Sequence, residues 1–141
     1  MSERKTDNFS DNEIREMYKL KNIAVVGISP TDGKPSNYVS KYLIEKGYNI
    51  IPINPNYSEI MNRKAYGNVS EVPDPIDILD IFRRSEDVLK VVEESLDKKE
   101  IKVVWMQKGI YNREAEDIAN KKGLKVVYNR CIKEEHKRLF A

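Results

Sequence analysis

The sequence predicts an α/β fold: a Rossmann-like, doubly wound, five-stranded parallel sheet with helices on both faces. Three observations carry that expectation. Five short apolar runs, "IAVVGI", "NIIPIN", "IDILDIF", "IKVVWM" and "LKVVY", read as strands with both faces buried, as parallel sheets require. Helical patterns with recognisable ends separate most of them. With 141 residues the chain holds one core, so a single domain joined by right-handed crossovers accounts for every element.

Along the chain, residues 1–21 form an N-terminal segment in which Met1 to Asp7 read as frayed. Ser10 and Glu13 have capping-box spacing, and Ile14, Met17 and Tyr18 share one helical face, so a short helix packs on the main domain. Residues 22–141 form that domain. After the first strand stops at Gly27, a loop of Ser, Pro, Asp, Gly and Lys leads into a helix with Val39, Tyr42 and Leu43 inward and Gly47 at its end. Between the second and third strands, "PNYSEIMNRKAYGNVSEVPDP" has no clear period and leaves room for a short helix or turns. Ser85 is placed to cap a helix with Glu86 and Asp87 in its first turn and Val88, Val91 and Val92 inward. Asn112 caps the next, with Ala115, Ile118 and Ala119 inward and Lys121, Lys122 and Gly123 at its end. A ligand is expected at the carboxyl ends of the strands, where the winding reverses, between strands one and four.

Composition bounds the function. The 25 basic and 23 acidic side chains leave a net charge of +2, which gives no strong field for nucleic acid. The opening residues are charged and no apolar run approaches a membrane span, so no membrane role and a cytoplasmic location are expected. One cysteine, Cys131, and one histidine, His136, supply neither an internal disulfide nor a structural zinc set, and no metal site is expected.

The first loop fails the dinucleotide fingerprint. Counting from Gly27, the other two glycine places hold Ser29 and Asp32, and the second strand ends in Asn54 and Pro55 instead of a ribose-binding carboxylate. No Walker-type Gly-Lys-Ser/Thr triplet occurs either. Anion-binding parts nevertheless remain: Gly27 permits close backbone approach, Ser29 offers a hydroxyl, Lys34 a cation, and Ser36 is placed to cap the following helix. The alternative is a loop of turn residues that only joins strand to helix.

"VVGISPTDGKPSNYVSKYLIEKGYNIIPINP", "VPDPIDILDIFRRSED", "VVWMQKGIYNREA" and "GLKVVYNRCIKEEHKRL" together resemble the small stand-alone CoA-binding proteins, whose fold is similar to the N-terminal CoA-binding domain of succinyl-CoA ligase alpha subunits. The resemblance covers about Asn22 to Leu139. It implies that Gly27, Ser29, Lys34, Pro35 and Ser36 receive the pyrophosphate of coenzyme A, and that Asn54 and Pro55 border its adenosine end. Phe82 and Arg83 would lie along the pantetheine arm or close over a phosphate, and Gln107 and Gly109 would approach the thiol end. The family often has a basic residue after the "NP" pair where this chain has Asn56, which leaves Lys34, Arg63 and Lys64 as candidates for the 3'-phosphate.

Each of these residues also has a plainer reading. Phe82 reads as core, Arg83 or Arg84 as solvated or paired with carboxylates, and Trp105 and Met106 as core. Asp77 and Asp80 match the place of a phosphorylatable Asp, but the first strand lacks the acidic pair that would hold magnesium. Cys131 is either a small buried hydrophobe or a thiol facing that of CoA, with Arg130 and Lys133 flanking it and favouring its thiolate. His136 reads as a surface or capping residue. The function expected is noncovalent binding of coenzyme A or an acyl-CoA, with no catalytic activity evident. The alternatives are a separated CoA-binding subunit of an ADP-forming acyl-CoA ligase, which would need an ATP-binding partner, and an NAD(H)-binding redox sensor. Oligomeric state is not legible.

Overall fold

The structure, a computed structural model, describes residues 6–140. In chain order its elements are α1 (Asp11–Met17), β1 (Asn22–Val26), α2 (Pro35–Glu45), β2 (Asn49–Ile53), β3 (Glu59–Ile60), β4 (Arg63–Lys64), β5 (Ile78–Ile81), α3 (Ser85–Ser95), β6 (Val103–Met106), α4 (Arg113–Lys121), β7 (Lys125–Val127) and α5 (Ile132–Phe140). β2, β1, β5, β6 and β7 lie side by side in that order and all run parallel. The five apolar runs are these five strands.

Strand alternation divides the core in two. Ala24, Val26, Leu79, Ile81, Val104, Met106 and Val126 face α3 and α4, whereas Ile23, Val25, Ile78, Val103, Trp105 and Val127 face α1, α2 and α5. Both faces are covered, which is why the runs are apolar without interruption. The N-terminal helix is part of this core: Ser10 and Glu13 form both halves of the capping box, and Ile14, Met17 and Tyr18 are buried.

Several expectations are corrected. The winding reverses between β1 and β5, the third of the long strands, and not between the first and the fourth. The reason lies in the irregular segment after β2, which turns through the β3–β4 hairpin and bonds the outer edge of β2 through Tyr66: Tyr66 N donates to Pro52 O at 3.0 Å, and Asn54 N to Tyr66 O at 2.9 Å. With that edge taken, the next long strand pairs on the far side of β1. Asp7 is not frayed. Its carboxylate is buried and accepts from Tyr128 N at 3.1 Å and from Arg130 Nη2 at 2.6 Å; Met1 to Lys5 lie outside the described residues. Ser85 stands inside α3 with Arg84 at the cap, and its hydroxyl accepts from Tyr111 N at 3.1 Å instead. Among the described residues no helix is long and apolar enough to cross a membrane.

Candidate functional site: a cationic cavity at the reversal of the sheet

The carboxyl ends of β1, β5 and β6 open into a cavity of about 650 Å³, bounded by the loops after those strands and the first turns of α2 and α5. The volume lies within the range of small-molecule sites. Gly27, Ser29, Lys34, Pro35, Ser36, Phe82, Arg83, Gln107 and Cys131, all singled out from the sequence, line it. Asn54, Pro55 and Gly109 do not, although Lys108 and Ile110 on either side of Gly109 do.

Gly27 is fixed by geometry. Its φ is +85°, and a Cβ there would sit 2.3 Å from the carbonyl oxygen of Phe82 on the neighbouring strand end. Any side chain would collide with backbone, so only glycine lets the two loops approach.

The rest of the loop is held by side chains turned inward. Ser36, expected to cap α2, is buried within the first turn, and its hydroxyl accepts from Ser29 N at 2.9 Å; Lys34 stands at the cap, with Pro35 first in the helix. Asn37 Nδ2 donates to Ser29 O at 2.9 Å. Asn54 Nδ2 donates to Ile28 O at 2.9 Å, while its Oδ1 accepts from Asn56 N. Asn54 therefore shapes the loop from behind. Sequence reasoning missed Asn37, whose burial inside a helix is the only local trace of that role.

Charge at the mouth is unevenly used. Arg84 pairs with Asp87 at 2.9 Å and Lys108 with Glu134 at 3.7 Å. Lys34 and Arg83 also line the cavity, and neither has an acidic partner within ion-pair distance among the described residues. The Arg83 chain passes Gly27, its Cδ 3.5 Å from where a Cβ would be. Two cations unpaired among the described residues, beside a glycine and the amino end of α2, have the chemistry to hold an anion. Arg63 and Lys64 lie on β4, outside the cavity lining.

Deeper in, Gln107 Nε2 donates to Asp80 Oδ1 and its Oε1 accepts from Ile132 N at 3.2 Å, tying β5, β6 and α5 together. Asp80 is wholly buried, and its Oδ2 has no partner among the described residues. Burial pushes its carboxyl up to about 8, against the opposing hydrogen bond from Gln107.

Cys131 is partly exposed at the head of α5. Its expected activation by neighbouring cations is not found. Arg130 is engaged by Asp7 and Glu135, each at 2.6 Å. Lys133 lies over the rings of Tyr38 and Tyr42 at 5.1 and 5.4 Å. Burial pushes the thiol up, although the amides of Glu134 and Lys133 work the other way. His136 is neither a cap nor a simple surface residue: Nδ1 meets Tyr42 Oη at 2.7 Å, and its ring packs against Tyr18, Tyr48 and Phe140. Trp105 and Met106 are core, and Phe82 is partly buried at the core's edge while lining the cavity.

Fold and site together define a single-domain, doubly wound α/β protein with a cavity at the reversal of its sheet, lined in part by Lys34 and Arg83. The chain belongs to the CoA binding domain family, whose model matches residues 21–137. It is 42% identical over 130 residues to YneT, an uncharacterized protein of Bacillus subtilis, covering 92% of this chain and 96% of that one. It is also 28% identical over 137 residues to acetate–CoA ligase (ADP-forming) II of Archaeoglobus fulgidus, covering 89% of this chain but only 20% of the ligase. A solved structure of a hypothetical protein from Pyrococcus horikoshii OT3 superimposes with a TM-score of 0.93 at 42% identity, over 100% of this chain and 99% of that one.

Proposed function

We propose that the protein binds coenzyme A or an acyl-CoA noncovalently in the cavity at the β1–β5 reversal. One observation carries the reading: Lys34 and Arg83, cations unpaired among the described residues, converge with Gly27 and Ser29 on a cavity in a member of the CoA binding domain family. Gly27 and the Ser29 loop receive the pyrophosphate, with Pro35 and Ser36 shaping the helix start beneath it. Lys34 and Arg83 carry phosphate charge, Phe82 lies along the pantetheine arm, and Gln107 stands at the thiol end. Asn54 and Pro55 border the adenosine end from outside the cavity wall, and Gly109 turns the loop that presents Lys108 and Ile110. None of these residues forms a nucleophile–base pair, and the reading includes no catalytic step.

Titration calorimetry with CoA, dephospho-CoA and NADH tests the proposal. CoA should bind most tightly, and loss of the 3'-phosphate should cost about 1.5–3 kcal/mol if its charge-assisted contact is partly buried. Lys34→Ala should shrink the gap between CoA and dephospho-CoA. NADH binding as tight as CoA would overturn the assignment in favour of a redox sensor.

The second reading, a separated CoA-binding subunit of an ADP-forming acyl-CoA ligase, is supported by similarity to those enzymes, of which the chain spans about a fifth or less. It requires a partner supplying the ATP-binding and phosphate-transfer parts.

A further inference from the structure

A second cavity, also of about 650 Å³, opens at the edge of the sheet opposite the first, where α1 ends, β1 and β2 begin and α5 finishes. It shares no lining residue with the cavity at the reversal. Tyr18, Tyr48, His136 and Phe140 form its aromatic floor, and Lys21 and Lys46 stand at its rim. The rings interlock edge to face: His136 meets Tyr18 at 5.1 Å and 80°, and Tyr48 at 5.9 Å and 90°. Phe140 completes the set against His136 at 4.8 Å, yet it is 49% exposed. A large ring left half in water beside buried ones offers a stacking surface to a further ring.

The charge left unused around these rings is of one sign. Glu16 is the one carboxylate of the described lining, and Lys19 takes it up at 2.9 Å. Lys21 and Lys46 have no acidic partner within ion-pair distance among the described residues. Each ammonium lies over a ring instead, Lys21 at 4.3 Å from Tyr48 and Lys46 at 5.5 Å from Tyr42. Lys46 follows α2, where a cation suits the carboxyl end of a helix; Lys21 belongs to no helix, so that account does not extend to it. Both charges are felt inside the cavity. Burial first, then Lys46 and Lys21, hold the His136 imidazole below its ordinary value. Its Nδ1 meets Tyr42 Oη at 2.7 Å, and its Nε2 has no partner among the described residues.

We propose that this cavity is a second binding site, for a small planar aromatic ligand bearing a carboxylate or phosphate, with the ring seated against Phe140 and the anion held by Lys21 and Lys46. The inference is independent of the CoA reading. The volume suits a ligand of that size. An anion without a ring meets only two exposed ammoniums, which hold it weakly in water, and a ring without an anion forgoes them. Joined in one molecule, the second contact forms at the effective concentration set by the first. The bound anion also offsets the two charges that depress His136, which favours its protonated form.

His136 is the only histidine of the chain, so its ring protons report on the site in NMR titrations of the full chain. Benzoate and AMP supply ring and anion together, acetate the anion alone and benzyl alcohol the ring alone. The expected result is saturable shifts at His136, Tyr48 and Phe140 with benzoate or AMP, at affinities at least about ten-fold above those of acetate and benzyl alcohol. A response to benzoate identifies a carboxylate ligand, and one to AMP a phosphate ligand. His136 should titrate at higher pH in the presence of whichever probe binds. Lys21→Ala/Lys46→Ala and Phe140→Ala, all at exposed positions, should each weaken the probe about ten-fold or more while leaving CoA binding in calorimetry unchanged. Shifts confined to Gly27 and Ser29 would put the probe in the first cavity and overturn the inference. Absence of saturable shifts, acetate binding as tightly as benzoate and AMP, or indifference to the lysine variant would overturn it too, and none of these results bears on CoA.

Discussion

Replacing Asp80 by Asn should remove one pH-dependent contribution to stability. Asp80 lies wholly buried on β5, one oxygen taking a hydrogen bond from Gln107 and the other taking none among the described residues. Desolvation lifts its carboxyl from the ordinary 3.8 to about 8. Between those values the folded chain holds a proton that the unfolded chain has released, so the stability contributed is complete below about pH 4 and falls as pH rises toward 8. Each pH unit in that window costs about 1.4 kcal/mol, or about 3 kcal/mol between pH 5 and pH 7. Asn keeps an oxygen for Gln107 and never ionises. Its extra N–H, if left without an acceptor, adds a constant penalty of about 1–3 kcal/mol.

Urea denaturation of both proteins at pH 5, 6 and 7 isolates the effect, because every other titrating group is common to the pair. The stability of wild type relative to Asp80→Asn should decline steadily over that range, whatever the constant offset between them. Parallel stabilities across the range would mean that Asp80 titrates alike in the folded and unfolded chains, and would refute the argument from burial.

Gly27→Ala should lower stability by at least about 2 kcal/mol, since it adds left-handed backbone strain to a contact with the Phe82 carbonyl that only backbone movement relieves; an unchanged urea midpoint would contradict the close approach of these loops. Arg130→Met leaves the Asp7 carboxylate, whose side chain is 4% exposed, buried without its ion-pair partner. The expected loss is about 3 kcal/mol, with part of it regained in the double variant Asp7→Asn/Arg130→Met, and a loss below about 1 kcal/mol would show that solvent reaches the pair. Lys34→Ala should leave the stability measured by urea denaturation within about 0.5 kcal/mol of wild type, because the side chain is exposed and unpaired among the described residues, while weakening CoA binding in calorimetry.

What the sequence made legible was whatever is encoded by neighbours along the chain. Uninterrupted apolar runs marked strands covered on both sides, Ser10 and Glu13 marked the start of α1, and Asn112 marked that of α4 through its bond from Ala115 N at 2.9 Å. Tertiary partners decided what was missed. Ser36 and Ser85 have the residue type and place of helix caps, yet each hydroxyl serves a loop amide, Ser29 N in one case and Tyr111 N, 26 positions away, in the other. Asp7 owes its order to Arg130, 123 positions away. The position of β5 beside β1 depended on Tyr66 occupying the far edge of β2, which no local pattern discloses. For the candidate site, the strand-end positions were legible because the fold sends every βα loop to one edge; their division into cavity wall and support was not.

That division bears on how the loop works. Three side chains that a sequence reader would assign to a ligand or to solvent, Ser36, Asn37 and Asn54, are committed to the backbone of residues 28 and 29. Three hydrogen bonds converging on two residues hold the loop in one shape before anything binds. The ordering cost of a flexible loop, about 1–2 kcal/mol for each backbone residue fixed, is then met in folding and not at the moment of binding. On the proposed reading, the same bonds let a loop without the dinucleotide glycines serve an anion. Where the fingerprint relies on several glycines to bring backbone near phosphate, this chain has one indispensable glycine at residue 27, and polar side chains fix the path of the rest. Among the described residues the cations Lys34 and Arg83 are left without acidic partners, so their charge is not paired off at the cavity wall.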